Sequence, residues 1–167
     1  MIFLTVGTHE PFDRLVRSVD GWCAATGRGA EMFGQITDHA GYRPSHFEAV
    51  ASLEPAEYRR RFAMADFVIS HAGMGSIITA LSMQKPIVIL PRRGHLRETR
   101  NDHQFATMER FAGRPGIFAA RDEHELPGLL AGAADGDATE MGKLSQFGDG
   151  QLIEALRTFI QGPAAKG

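Results

Sequence analysis

The chain has 167 residues, 43% of them hydrophobic and 23% charged, with a formal net charge of −2. This is the composition of one soluble domain able to bury its own core, and the overall charge gives no reason to expect a nucleic-acid partner. The single cysteine, Cys23, excludes an internal disulfide and any cysteine-based metal site.

The first run, MIFLTVGTHE, is apolar but too short for a signal peptide and carries no basic leader. It reads as a buried first strand over residues 2–6, ended by Gly7. A short loop, 7–11, follows. Phe12, Leu15, Val16 and Val19 then recur at helical spacing and predict a helix over 12–25, with Cys23 packed inside beside Trp22. Gly27 and Gly29 stop that helix. Residues 31–37 predict a second strand interrupted by Gly34, residues 38–45 a polar loop, and residues 47–53 a third strand. Pro55 opens a helix over 56–65 that is basic on one side through Arg59, Arg60 and Arg61.

Residues 67–69 predict the fourth strand, 75–83 a helix broken at Lys85-Pro86, and 87–90 the fifth strand. A long basic loop, 91–100, leads to Asn101, a good helix N-cap, and a helix reaching 111. A short sixth strand over 116–119 and a helix over 123–133 come next. Residues 135–150, rich in glycine and aspartate, read as a loop, 151–160 as a closing helix and 163–167 as a disordered tail, so that one domain spans 1–162. No apolar run reaches the ~18 residues of a membrane-spanning helix, so any membrane contact is expected to be peripheral or borrowed from a partner. Strands alternating with helices predict an α/β fold: a Rossmann-like parallel sheet of about six strands with helices on both faces. Ligands of such sheets bind in the crevice beyond the carboxyl ends of the strands. Three loops meet that rim: 7–11, 71–76 and 91–100.

In the second loop, His71, Ala72, Gly73, Met74, Gly75 and Ser76 form a glycine-rich turn into a helix. It can cradle a phosphate on the helix's free N–H groups, or it can be a plain tight turn with Ser76 as its cap. The spacing is neither the dinucleotide-binding glycine pattern nor a P-loop. The third loop carries Arg92, Arg93, Arg97 and Arg100, with Glu98 among them. Guanidinium groups there suit a diphosphate or a carboxylate, and Glu98 could accept ribose hydroxyls; the alternative is a solvated loop with internal ion pairs. The seven histidines show no zinc spacing. His9 and His71 stand at strand ends, where each could act as a base or as a hydrogen-bonding group, while His39, His46 and His124 read as surface residues. Asp135 and Asp137 match a metal-chelating Asp-x-Asp spacing but lie in a turn-rich stretch away from the strand ends. No metal or cofactor is expected.

The run ISHAGMGSIITALSMQKPIVILPRR, continued by RNDHQ, resembles the C-terminal half of family 28 glycosyltransferases. These are GT-B enzymes whose C-terminal half binds a UDP-sugar donor and whose N-terminal half binds the acceptor. The opening TVGTHEPFDRL resembles the start of stand-alone donor-binding subunits of split members, which work with a membrane-anchored, acceptor-binding partner. The resemblance implies that Gly7, Thr8 and His9 line the diphosphate from the first loop. The backbone near 51–53 would meet the uracil, and 72–76 would lie beneath the diphosphate. Asn101, Asp102, His103 and Gln104 would face the transferred sugar. Members place a ribose-holding glutamate where Thr79 stands, which makes Glu98 its substitute here. The implied role is the donor-binding catalytic subunit of a split, inverting transferase acting on a lipid-linked acceptor in exopolysaccharide synthesis, at the cytoplasmic face of the membrane. The acceptor base would lie in the partner. The alternative is a nucleotide-sugar-binding or regulatory subunit without transfer activity.

Overall fold

The computed structural model describes residues 1–136. Its first strand, β1 (Ile2–Thr5), is buried at every position, because it lies mid-sheet with helices against both faces. The chain continues through α1 (Asp13–Thr26), β2 (Met32–Gln35), β3 (Glu48–Val50), α2 (Pro55–Met64), β4 (Phe67–His71), α3 (Met74–Ser82), β5 (Ile87–Leu90), α4 (His103–Phe111), β6 (Ile117–Ala119) and α5 (Leu126–Ala134). The strands form one six-stranded sheet in the order β3-β2-β1-β4-β5-β6, and every pairing is parallel. The chain thus runs outward from β1 to β3, then returns to start β4 on the other side of β1. Between β1 and β4 lies the point where the winding direction switches.

Alternation along the strands divides the core into two layers. Ile2, Leu4, Ile69, Val88 and Leu90 face Leu15, Val16, Val19, Trp22 and Cys23 of α1 and Leu126 and Leu130 of α5. Phe3, Phe33, Val68, Ile87 and Ile89 face Phe62 of α2, Ile77 and Ala80 of α3 and Met108 and Phe111 of α4. Helices therefore cover both faces, as the alternating pattern requires.

Several boundaries differ from expectation for local reasons. β4 runs on to His71, so this histidine is the last residue of the strand rather than part of a loop. α3 begins at Met74 with Gly73 as its N-cap, so Ser76 lies inside the first turn, buried, and is not a cap. α4 begins at His103 with Asp102 as N-cap; the Asn101 side chain instead accepts the His103 N–H at 3.3 Å. The expected strand over 31–37 is preceded by a 3-10 turn, Arg28–Glu31, and its Gly34 is required, since a Cβ there would lie 2.9 Å from the Phe47 ring. Pro127 sits in the first turn of α5, which explains why that helix starts later than expected. Within the first layer Asp20, 2% exposed, accepts hydrogen bonds from the Tyr42 hydroxyl and from the Ser45 and His46 amides, and so ties the loop after β2 to α1. His39, His46 and His124 are exposed. Asp137, the expected closing helix and the tail lie outside the described residues.

Candidate functional site

The loops after β1, β4 and β5 meet at the switch point. The loops after β1 and β5, with His71 at the end of β4 and Gln104 of α4, enclose a crevice of about 280 Å³ lined by Val6, Gly7, Thr8, His9, Glu10, His71, Arg92, Thr99 and Gln104. A second hollow, about 460 Å³, adjoins it between the starts of α3 and α4; its lining includes Ala72, Gly73, Met74 and His103, and Gln104 borders both. A hollow of similar size, about 290 Å³, opens at the amino ends of β1 and β4, beside Ala65, Gln84 and Ala134. Helices present their carboxyl ends there, which disfavours an anion, and the hollow borders Gly136, the last described residue.

His71 is the centre of the first crevice. Its imidazole is wedged between two glycines. A Cβ on Gly73 would fall 2.0 Å from its Cε1, and one on Gly7 3.1 Å from its Nε2. Gly7 also has φ +87, so a side chain there would be strained as well as crowded. Gly75 meets nothing, so packing does not require it. Burial, reinforced by the neighbouring Arg92 charge, pulls the His71 pKa from 6.5 down to about 4, against a hydrogen bond with the Gln104 side chain. The ring is therefore neutral at physiological pH, and its Nδ1 is buried without a protein partner. α3 starts with no side-chain cap, so its first N–H groups and the positive end of its dipole stand beside the adjoining hollow, which Gly73 and Met74 line.

The arginine loop divides into inward and outward parts. Arg92 is 4% exposed and donates to the carbonyls of Val6 at 2.8 Å, Glu10 at 2.7 Å and Pro11, with a longer bond to the Glu98 carbonyl. It lies against the Phe12 ring and staples the loop after β1 to the loop after β5. Its charge reaches the crevice, but its N–H groups are spent on backbone. Arg93 donates to the Arg121 carbonyl at 2.8 Å and covers the Phe105 ring at 4.1 Å. Arg97 and Arg100 are exposed.

Glu98, expected to hold a ribose, has both its oxygens engaged within the protein. Arg14 of α1 grips its two oxygens at 2.7 and 2.8 Å, and the Arg93 amide donates to one of them at 2.9 Å. The carboxylate holds the loop, and Arg14 ties it further to Glu123 and to the Pro91 carbonyl. Thr79 bonds back to the Gly75 carbonyl at 2.7 Å, within its own helix. Asp102 accepts the Gly94 amide at 2.8 Å and so folds the basic loop onto the start of α4. Thr8, His9, Asn101 and His103 are exposed on the rim, with the Thr8 hydroxyl 2.9 Å from His9 Nδ1. Gln104 accepts the Arg92 amide at 3.2 Å. Of the residues singled out in the sequence, Gly7, Thr8, His9 and Gln104 line the crevice with His71, and Ala72, Gly73, Met74 and His103 line the adjoining hollow, whereas Arg92, Arg93 and Glu98 serve as fasteners.

Sequence reading passed over Arg14, Gln35 and Thr99. Arg14 meets Glu98 across 84 positions of chain, a separation no local pattern encodes. Gln35 sits in a strand whose polar residue has a visible signal, a buried amide in an otherwise apolar run, but its target could not be read.

Three comparisons bear on this site. The sequence pattern of the glycosyltransferase family 28 C-terminal domain matches residues 1–114. A UDP-N-acetylglucosamine transferase subunit, ALG13 of Eremothecium gossypii, is 40% identical over 68 residues, which is 40% of this chain and 32% of that protein. Among solved structures, the glycotransferase of kitacinnamycin superposes with a TM-score of 0.66 at 21% identity, covering 94% of this chain and 39% of that one. The calicheamicin glycosyltransferase CalG4 gives 0.63 at 14% identity, covering 96% and 42%. These two share the fold, that of the C-terminal half of a GT-B glycosyltransferase, and this chain spans about two-fifths of their length.

Proposed function

Since this chain belongs to the glycosyltransferase family 28 C-terminal domain family, we propose that its crevice holds the diphosphate of a UDP-sugar and that the chain is the donor-binding subunit of a split transferase. The observation that carries this reading is the crevice that the Gly7–Thr8 turn and neutral His71 share at the switch point of a parallel sheet, with the uncapped start of α3 on the hollow that adjoins it. There, backbone N–H groups and a helix dipole would stabilise the leaving diphosphate without a metal. The adjoining hollow, reached past Gln104, is the space for the transferred sugar. The ALG13 likeness, to a protein named as a transferase subunit, supports a partner that supplies the acceptor side. That partner is membrane-anchored and presents a lipid-linked acceptor, in exopolysaccharide synthesis, so that this chain works at the cytoplasmic face. No helix among the described residues is long and apolar enough to cross a membrane.

Calorimetric titration of the purified chain with UDP tests the donor reading. Binding that weakens about tenfold in Gln104→Ala is expected, the loss of one hydrogen bond to the ligand. No heat at millimolar UDP, with the fold intact, overturns it. The engagement of both Glu98 oxygens and of Thr79 favours a second reading, a nucleotide-sugar-binding subunit without transfer activity. Sugar transfer in the presence of the membrane partner would exclude that reading; UDP binding without transfer would establish it.

A further inference from the structure

Thr5, at the end of β1, is paired in register with Gln35 on one side and Ser70 on the other. Alternation puts all three on the face that carries Phe3, Phe33 and Val68, so a polar row crosses the sheet at its carboxyl rim beneath the start of α3. All are 2% exposed or less. Gln35 is the costly member. Its Nε2 donates to the Gly7 carbonyl at 3.2 Å, while its Oε1 is buried with no partner in the protein. The amide orientation follows from the partner, because a carbonyl can only accept. An amide half-satisfied in a core is less stable than an apolar side chain of the same size. The bond it does make therefore deserves a reason outside stability.

That reason lies in the peptide plane. The Gly7–Thr8 bond is trans, as are all peptide bonds described. In a trans peptide the C=O and the following N–H point in opposite directions. Holding the Gly7 carbonyl down toward β2 turns the Thr8 N–H up, away from the sheet, on the side where Thr8 lines the crevice. Gly7 has φ +87 and would otherwise be free to flip this plane. We propose that Gln35 is a positioning residue for the donor diphosphate: it fixes the Gly7–Thr8 peptide so that the Thr8 N–H points at a phosphate oxygen. The inference rests on the UDP reading above.

The test compares wild type with Gln35→Met, which keeps the volume and removes the amide. The expected result has two parts. The melting temperature of Gln35→Met stays at or above that of wild type, because an unpaired buried acceptor is gone. UDP affinity falls about tenfold while uridine affinity is unchanged, since only the diphosphate meets the Thr8 N–H. In the wild-type chain, which needs no variant to fold, adding inorganic pyrophosphate moves the Thr8 amide proton downfield in a ¹H–¹⁵N spectrum. Equal UDP affinity in the two proteins, a parallel loss of UDP and uridine, or a Thr8 amide indifferent to pyrophosphate overturns the inference while leaving the donor site standing. A wild type that binds neither UDP nor pyrophosphate overturns both.

Discussion

His71 shows how one side chain can set the chemistry of a crevice. Its pKa is lowered from 6.5 to about 4, so the folded chain takes up a proton less readily than the unfolded one. The stability contributed by the neutral ring is complete above pH 6.5 and is lost as pH falls toward 4. The loss amounts to about 3 kcal/mol across that window, at the usual ~1.4 kcal/mol per pH unit. Urea denaturation of wild type at pH 7 and pH 4.5 should show a larger drop than the same pair of curves for His71→Gln. The glycine beside it is under a steric constraint of the same origin. In Gly73→Ala the new methyl must displace the imidazole, at a cost of about 1–3 kcal/mol for overpacking and with weaker UDP binding, measurable by denaturation and calorimetry on one preparation.

At the scale of elements, the loop after β5 is held by fasteners from distant segments. Arg14 of α1 grips Glu98, and both side chains are largely buried, 14% and 13% exposed. In Glu98→Gln the pair loses its charge while Arg14 keeps Glu123 and the Pro91 carbonyl. Stability should fall by about 2 kcal/mol, less than for a fully buried pair, and hydrogen exchange in 91–100 should accelerate. The element pattern itself is legible from periodicity: every strand and α-helix among the described residues is anticipated within a few positions, because apolar runs and glycine or proline breaks are local signals, whereas the 3-10 turn Arg28–Glu31 is not. The place of the glycine turn at the carboxyl rim is legible for the same reason. What local pattern does not carry is the direction a side chain takes across the fold. Four nearby arginines suggested an anion grip, yet Arg92 turns inward to three carbonyls of the first loop and Arg93 to Arg121. Glu98 looked available until Arg14 arrived from 84 residues away.

On the scale of the whole molecule, the six parallel strands deliver every candidate group to one rim and leave the opposite rim to helix carboxyl ends. Under the split-enzyme reading, a partner that supplies the acceptor would approach the crevice rim. Leu96, 48% exposed at the tip of the basic loop, is the large apolar side chain on offer there. Under the split-enzyme reading, Leu96→Asp should leave UDP affinity within about twofold, as expected of an exposed residue away from the ligand, while lowering recovery of the membrane-anchored subunit in co-purification. Weakened UDP binding in that variant, with partner recovery unchanged, would assign Leu96 to the donor site instead.

Cys23 offers a practical handle. It is 1% exposed, and burial together with the nearby Asp20 charge pushes its thiol up to about 11. The thiolate is the form that attacks electrophilic thiol reagents, so this buried thiol with its raised pKa reacts slowly at neutral pH. It is also the one cysteine in the sequence. A cysteine introduced on the rim, for example Thr99→Cys, would be the single site to accept a maleimide dye without first removing a native thiol. Under the split-enzyme reading, fluorescence from that dye would follow UDP binding and partner docking in the same cuvette, with the buried Cys23 adding little background.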